Sequence, residues 1–312
     1  TPMVSIVGTG DELIRTIERS FPAVTVLVRG NEITLDGPSE DVATIEALIG
    51  EMVIVVRTGQ GLTTDSVERS IGMLRSNVRP ADVLTANILS NRGKTIRAKT
   101  LGQKHYVDAI DSHTIVFGIG PAGTGKTYLA VAKAVQALQS KKVTRIILTR
   151  PAVEAGEHLG FLPGTMQEKV DPYLRPIYDA LHEMMQPEQI AKRLADGTIE
   201  IAPLAFMRGR TLAHAFVILD EAQNTTAEQM KMFLTRLGFG STIVVTGDVT
   251  QVDLPSGTQS GLRAVRDILT GLDDVEFCEL SSQDVVRHKL VGQIVDAYSR
   301  FDEQHGKRGG RR

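Results

Sequence analysis

Gly120-Pro121-Ala122-Gly123-Thr124-Gly125-Lys126-Thr127 fits the pattern G-x-x-x-x-G-K-[ST], a loop whose backbone amides wrap phosphate oxygens. The apolar, β-branched run Thr114-Ile115-Val116-Phe117-Gly118-Ile119 before it predicts a buried strand. After it, Leu129, Ala132, Val135 and Ala137-Leu138 form a helical stripe up to about Gln139. Strand, glycine loop and helix thus follow in the order that a phosphate loop requires. Gly123 and Gly125 let amides turn toward phosphate without a Cβ clash, and the helix starting near Lys126 adds its positive dipole end. Lys126 is placed to reach the β- and γ-phosphates of ATP, and Thr127 to ligate magnesium. A chance glycine-rich turn is the competing reading; the match across all eight positions, in the right context, weighs against it.

A second stretch supplies the acids. Ala215-Phe216-Val217-Ile218-Leu219 is an apolar strand that delivers Asp220 and Glu221 at its end. Beside a phosphate loop, an aspartate at that place holds the magnesium shell. Glu221 is then placed to orient and deprotonate an attacking water. Strand-end acids merely exposed to solvent are the alternative. Thr242-Ile243-Val244-Val245-Thr246 is a further strand, ending in Gly247-Asp248-Val249-Thr250-Gln251. Gln251 and Thr246 at its tip are candidates to face the γ-phosphate, with a plain turn as the rival.

The remaining strands are expected at Val143 to Thr149, Thr198 to Ala202 and Val275 to Leu280, with helices between them. Strands alternating with helices predict an α/β fold with a mainly parallel central sheet. Arg150, at the end of one strand, falls where an open sheet presents its ligand crevice. His158, Lys169 and Tyr173 acquire no role. Arg208 and Arg210 suit either phosphate contact or a loop salt bridge. Gln103, upstream of the loop, could present its amide to the edge of adenine.

Composition narrows the classes. The chain has 312 residues, 42% of them hydrophobic, enough for one large domain and a small one. Aromatic residues make up only 4% and Trp is absent, so the core must be aliphatic. The single cysteine, Cys278, excludes an internal disulfide, fits a cytoplasmic location and lies in an apolar run as a core residue. No apolar run reaches the length of a membrane span, and no leader pattern opens the chain. Lys and Arg total 35 against 37 Asp and Glu, a net charge of -2, so any nucleic-acid surface must be local.

Four segments follow from the patterning. Residues 1–56 predict a small α/β module of helix, hairpin and helix, suited to RNA binding or docking. Residues 57–98 form a connector, either a solvated linker or a phosphate-contacting strip bearing Arg92, Lys94, Arg97 and Lys99. Residues 99–301 hold the nucleotide domain, and residues 302–312 a basic, disordered tail.

Taken together, Gly118 to Thr127, Asp220-Glu221-Ala222-Gln223-Asn224, Thr246 to Gln251 and Asp284-Val285-Val286-Arg287-His288 resemble the PhoH-like family of bacterial P-loop ATPases. The resemblance spans about Lys99 to Phe301, with the N-terminal module of the longer members. It implies a RecA-like ATPase acting with RNA, beside an endoribonuclease, in an oligomeric, hexameric ring. The acidic and Gly-Asp-x-x-Gln motifs are also similar to those of superfamily-one helicases. Such helicases use two lobes per chain, whereas this sequence carries one phosphate loop, one acidic pair and one sheet's worth of strands. Arg287, expected near the start of a last helix over Ser282 to Phe301, is the candidate arginine supplied to a neighbouring subunit. An intrahelical pair with Asp284 is its alternative. A nucleotide-gated adaptor that recruits a nuclease or ribosomal partner competes with the RNA-coupled ATPase.

Overall fold

The computed structural model describes residues 2–91, 93–151, 166–255 and 257–286, together with 291 and 297. The chain opens with helices α1 (Val4–Val7) and α2 (Glu12–Ser20), the antiparallel hairpin β1 (Thr25–Arg29) and β2 (Glu32–Asp36), and the long helix α3 (Ser39–Arg57). Leu13 and Ile17 of α2 meet Ile45, Leu48 and Met52 of α3 in one aliphatic core.

The connector is folded, not a solvated linker. Helix α4 (Thr64–Arg75) begins at a reciprocal cap between Thr63 and Ser66, and its Val67 and Ile71 enter the same core. Helix α5 (Pro80–Leu84) buries Ala81, Val83 and Leu84 against Val55 and Met73. A second hairpin, β3 (Asn87–Asn91) and β4 (Lys94–Arg97), turns its Ile88, Leu89 and Ile96 into the core of the nucleotide domain. The connector therefore buries apolar side chains on both sides of the boundary that it spans.

The nucleotide domain runs through α6 (Leu101–Ser112), β5 (Ile115–Ile119), α7 (Lys126–Gln139), β6 (Arg145–Arg150), α8 (Met166–Met184), α9 (Pro187–Ala195) and β7 (Ile199–Pro203). It continues through β8 (Ala215–Leu219), α10 (Ala227–Leu234), β9 (Thr242–Gly247), α11 (Gly261–Leu269) and β10 (Val275–Glu279). The six strands pair in the order β10-β5-β9-β8-β6-β7, all parallel. This is the α/β architecture that the sequence predicts.

Strand geometry explains the apolar runs. Successive side chains point to opposite faces. Val116, Ile146, Leu148, Phe216, Ile218 and Val244 accordingly pack on one face against α6, α7, α8 and α9. Phe117, Ile147, Val217, Leu219, Ile243 and Val245 pack on the other with α10 and α11. A sheet covered on both faces needs apolar residues at every position, as these strands have. Cys278 lies in the first of these cores, and burial pushes its thiol up to about 12.

All six strands run the same way, so their C-terminal ends share one edge of the sheet. The chain passes from β5 across to β6, fills in β7, β8 and β9, and returns to β10 on the far side of β5. Strand order reverses at β5, and a crevice opens there. The expected last helix does not start at Ser282. Ser282–Asp284 is a single 3-10 turn, and Val286 donates its backbone N–H to Gly123 O (2.9 Å), out of helical register. Arg287 and His288 lie outside the described residues, as do residues 152–165, which include His158, and the tail 302–312. Lys169 falls within α8.

Candidate active site

The phosphate loop bridges β5 and α7 across this crevice. Gly125 caps α7 with φ 81°, and Gly123 has φ 86°, both in the left-handed region that glycine accepts without a Cβ penalty. At Gly120 the constraint is contact: a Cβ there would stand 2.3 Å from Leu280 O. Lys126 is buried, and its Nζ donates to Gly120 O (2.6 Å) and Pro121 O (2.9 Å). Thr124 is fully buried, and its Oγ1 donates back to Pro121 O. Pro121 and Ala122 complete the turn between Gly120 and Gly123.

Opposite the loop stands Asp220, at the end of β8 and 3% exposed. Its Oδ1 accepts from Thr127 Oγ1 (2.6 Å) and from Thr246 Oγ1 (2.7 Å). One carboxylate thus gathers two strand ends, those of β8 and β9, and the first turn of α7. Magnesium takes one or two carboxylates together with substrate phosphates and water. Thr127 and Asp220, two oxygen donors in mutual contact, fit that requirement.

Glu221 has φ 54°, a left-handed conformation unusual for a side chain with a Cβ. That turn sends its carboxylate toward Arg150. Arg150 Nη2 lies 2.8 Å from Glu221 Oε1, and its Nε lies 3.9 Å from Asp220 Oδ2. Gln223 Nε2 donates to Glu221 Oε2 (2.5 Å), while Gln223 Oε1 accepts from the Asp248 amide (3.0 Å). Glu221 is therefore held from both sides, and each oxygen keeps a second lone pair.

A cavity of about 450 Å³ joins these groups. Gly123, Lys126, Thr127, Arg150, Glu221 and Gln251 are among the residues that line it. Gln251 lines this cavity at an exposed position on the rim. Sequence reasoning missed Asp248, which also lines the cavity. Asp248 is buried; its Oδ1 accepts from Thr250, and its Oδ2 has no hydrogen-bond partner. The Gly-Asp-x-x-Gln pattern at a strand end carried that signal. A further wall comes from α8, through Asp179 and Glu183. Glu183 accepts from the Tyr128 hydroxyl (3.2 Å), and burial together with this carboxylate raises that phenol to about 12.

Gln103 is where the structure departs from the reading of its amide as free for adenine. The side chain is buried. Its Nε2 donates to Thr124 O (2.9 Å) and its Oε1 accepts from Lys99 N (2.8 Å). Both ends of the amide serve the protein, clamping the phosphate loop to the start of α6. The alternative drawn for Arg287, an ion pair with Asp284, has competitors: Asp284 accepts from Thr100 Oγ1 (2.5 Å) and Ser281 N (2.8 Å). Arg210 forms the loop salt bridge, with Glu200 at 2.6 Å.

The family model described as PhoH-like protein matches residues 95–299. The chain belongs to the PhoH-like family. A PhoH-like protein of Mycobacterium tuberculosis is 65% identical over 303 residues, covering 96% of this chain and 86% of that one. A PhoH-like protein of Bacillus subtilis is 49% identical over 300 residues, covering 95% and 94%. Among solved structures, the Pif1 helicase from Candida albicans aligns at 13% identity and a TM-score of 0.30, over 58% of this chain and 40% of that one. As a PhoH-like chain with this loop and fold, the protein is a nucleotide-binding P-loop protein of the NTPase class. Among the described residues, no helix is long and apolar enough to cross a membrane.

Proposed function

We propose that this PhoH-like protein hydrolyses ATP with magnesium and couples the reaction to RNA as a homo-oligomer. The observation that carries the hydrolytic part is the single cluster formed by Thr127, Asp220 and Thr246, with Glu221 held beside it by Arg150 and Gln223. Thr127 and Asp220 would hold magnesium, which would supply positive charge against the phosphate oxygens. The loop amides and Lys126 bind and orient the β- and γ-phosphates. Glu221 accepts a proton from the attacking water through a lone pair left open by its two partners. Arg150 fixes that carboxylate and faces the same cavity, so it stands ready to offset charge that grows on the γ-phosphate.

RNA as the partner rests on the family, as does a ring assembly. Phosphate release is measured with and without single-stranded RNA, on protein whose mass is fixed by light scattering. RNA-stimulated turnover by an oligomer is the expected result; turnover indifferent to RNA contradicts it. For Arg287 as an arginine acting on a neighbouring subunit, Arg287→Ala is mixed with Lys126→Ala. Recovered turnover supports that role, and none despite proven subunit exchange refutes it.

The adaptor reading has one observation in its favour. Val286 N donates to Gly123 O in the phosphate loop, and Arg69 of α4 donates to Val285 O (3.0 Å). The loop is thereby tied to α4 of the connector, which shares the core of the N-terminal module read above as a docking unit. Partner capture that depends on ATP binding and persists without hydrolysis would favour this reading.

A further inference from the structure

A second charged cavity, of about 300 Å³, lies where the connector meets the nucleotide domain. Its charged lining consists of Arg69, Arg97 and Lys99 against one carboxylate, Asp65. Asp65 does not neutralise it. That side chain is 64% exposed, and it takes Arg69 Nε (2.9 Å) and Nη2 (3.3 Å) within α4. Arg69 Nη2 also donates to Val285 O, which leaves Nη1. Arg69 Nη1 is buried with no hydrogen-bond partner. Arg97 Nε, at the end of β4, is likewise buried with none. No carboxylate among the described residues pairs with Arg97.

Buried donors on charged groups are rarely left without an acceptor, because desolvating them is costly. Here two guanidinium groups, of α4 and β4, line one cavity, and each carries such a donor. Arg97 presents a planar fork suited to the oxygens of phosphate, Arg69 keeps only its Nη1, and Lys99 adds an exposed cation. The cavity also opens on the first turn of α4, whose dipole favours an anion. A compact oxyanion in the cavity would meet three cations against one exposed carboxylate.

We propose that Arg69, Arg97 and Lys99 form a binding site for one phosphate group, separate from the nucleotide cavity. The phosphate is either a free ion or a phosphodiester of the RNA backbone, and the second source rests on the RNA-coupled reading above. A phosphate held there lies against Val286, the residue that binds Gly123 of the phosphate loop.

The test uses the full chain and the variants Arg97→Gln and Lys99→Gln, each checked for folding by circular dichroism and melting. One arm titrates inorganic phosphate against melting temperature, where stabilisation follows mass action. Any phosphate bound by residues 120–127 contributes equally to all three proteins, so the difference belongs to the second cavity. The other arm measures binding of a single-stranded RNA oligonucleotide across a salt series. Smaller stabilisation by phosphate in the variants, with unchanged RNA binding, assigns the site to the free ion. RNA binding weakened roughly tenfold, with the salt slope reduced by about 0.7 for one lost phosphate contact, assigns it to the RNA backbone. If both variants fold and match wild type in both arms, the site does not exist. Wild-type protein that binds no RNA instead strikes the RNA-coupled reading, and the phosphate arm alone then decides the cavity.

Discussion

The nucleotide cavity and the connector cavity both gather buried charge, but they leave opposite atoms unpartnered. In the first, the orphan is an acceptor, Asp248 Oδ2, close to a cluster in which Asp220 and Glu221 are already bound by protein donors. In the second, the orphans are donors, Arg69 Nη1 and Arg97 Nε. An orphan acceptor is met by a cation or a water, and orphan donors on cationic groups by an anion or a water. The first cavity is thus preorganised by protein donors, and the second is the one proposed to take an anion.

Breaking the first cavity has the larger effect. Lys126→Ala is expected to abolish turnover, because Arg150, the only other cation among the described lining residues, comes from the end of β6 and not from the phosphate loop. Phosphate release checks this, with circular dichroism to show that the fold survives. Arg150→Ala is expected next, at about 10³-fold slower turnover, the lower end of what an arginine at a transferring phosphate contributes. It leaves Asp220 and Glu221 as adjacent unpaired carboxylates, so magnesium dependence should shift as well, measured as turnover against magnesium concentration.

Gln103→Ala sharpens the comparison from the side of packing. Its amide clamps Thr124 O to Lys99 N, so the substitution should cost about 1–3 kcal/mol of stability by stranding buried backbone groups. A melting curve and ATP-against-GTP competition separate the two roles. Loss of stability with unchanged base preference makes Gln103 a clamp; a selective loss of ATP preference restores it as a base reader.

Much of this was legible in the sequence. The strands declared themselves because a sheet covered on both faces requires unbroken apolar runs such as Ile146-Ile147-Leu148 and Phe216-Val217-Ile218-Leu219. The loop and acidic pair were legible because phosphate binding fixes both residue type and spacing. In the connector, α5 and the hairpin of β3 and β4 were not, since each is too short to show a period and their burial depends on partners distant in sequence. Gln103 misled for a related reason: a polar residue near the loop carries no sign of whether its amide faces a ligand or the loop itself. Arg150 was visible as a strand-end arginine, but its pairing depends on the left-handed turn at Glu221, which no local pattern announces.

The central claim is that Glu221, held by Arg150 and Gln223, activates the water that attacks ATP. Glu221→Gln tests it most directly, with nucleotide affinity and phosphate release measured on the same preparation. The account predicts ATP-magnesium binding close to wild type and turnover at least ~100-fold slower, the scale of a general base. Turnover at the wild-type rate would contradict it, and the proton would have to leave by another group.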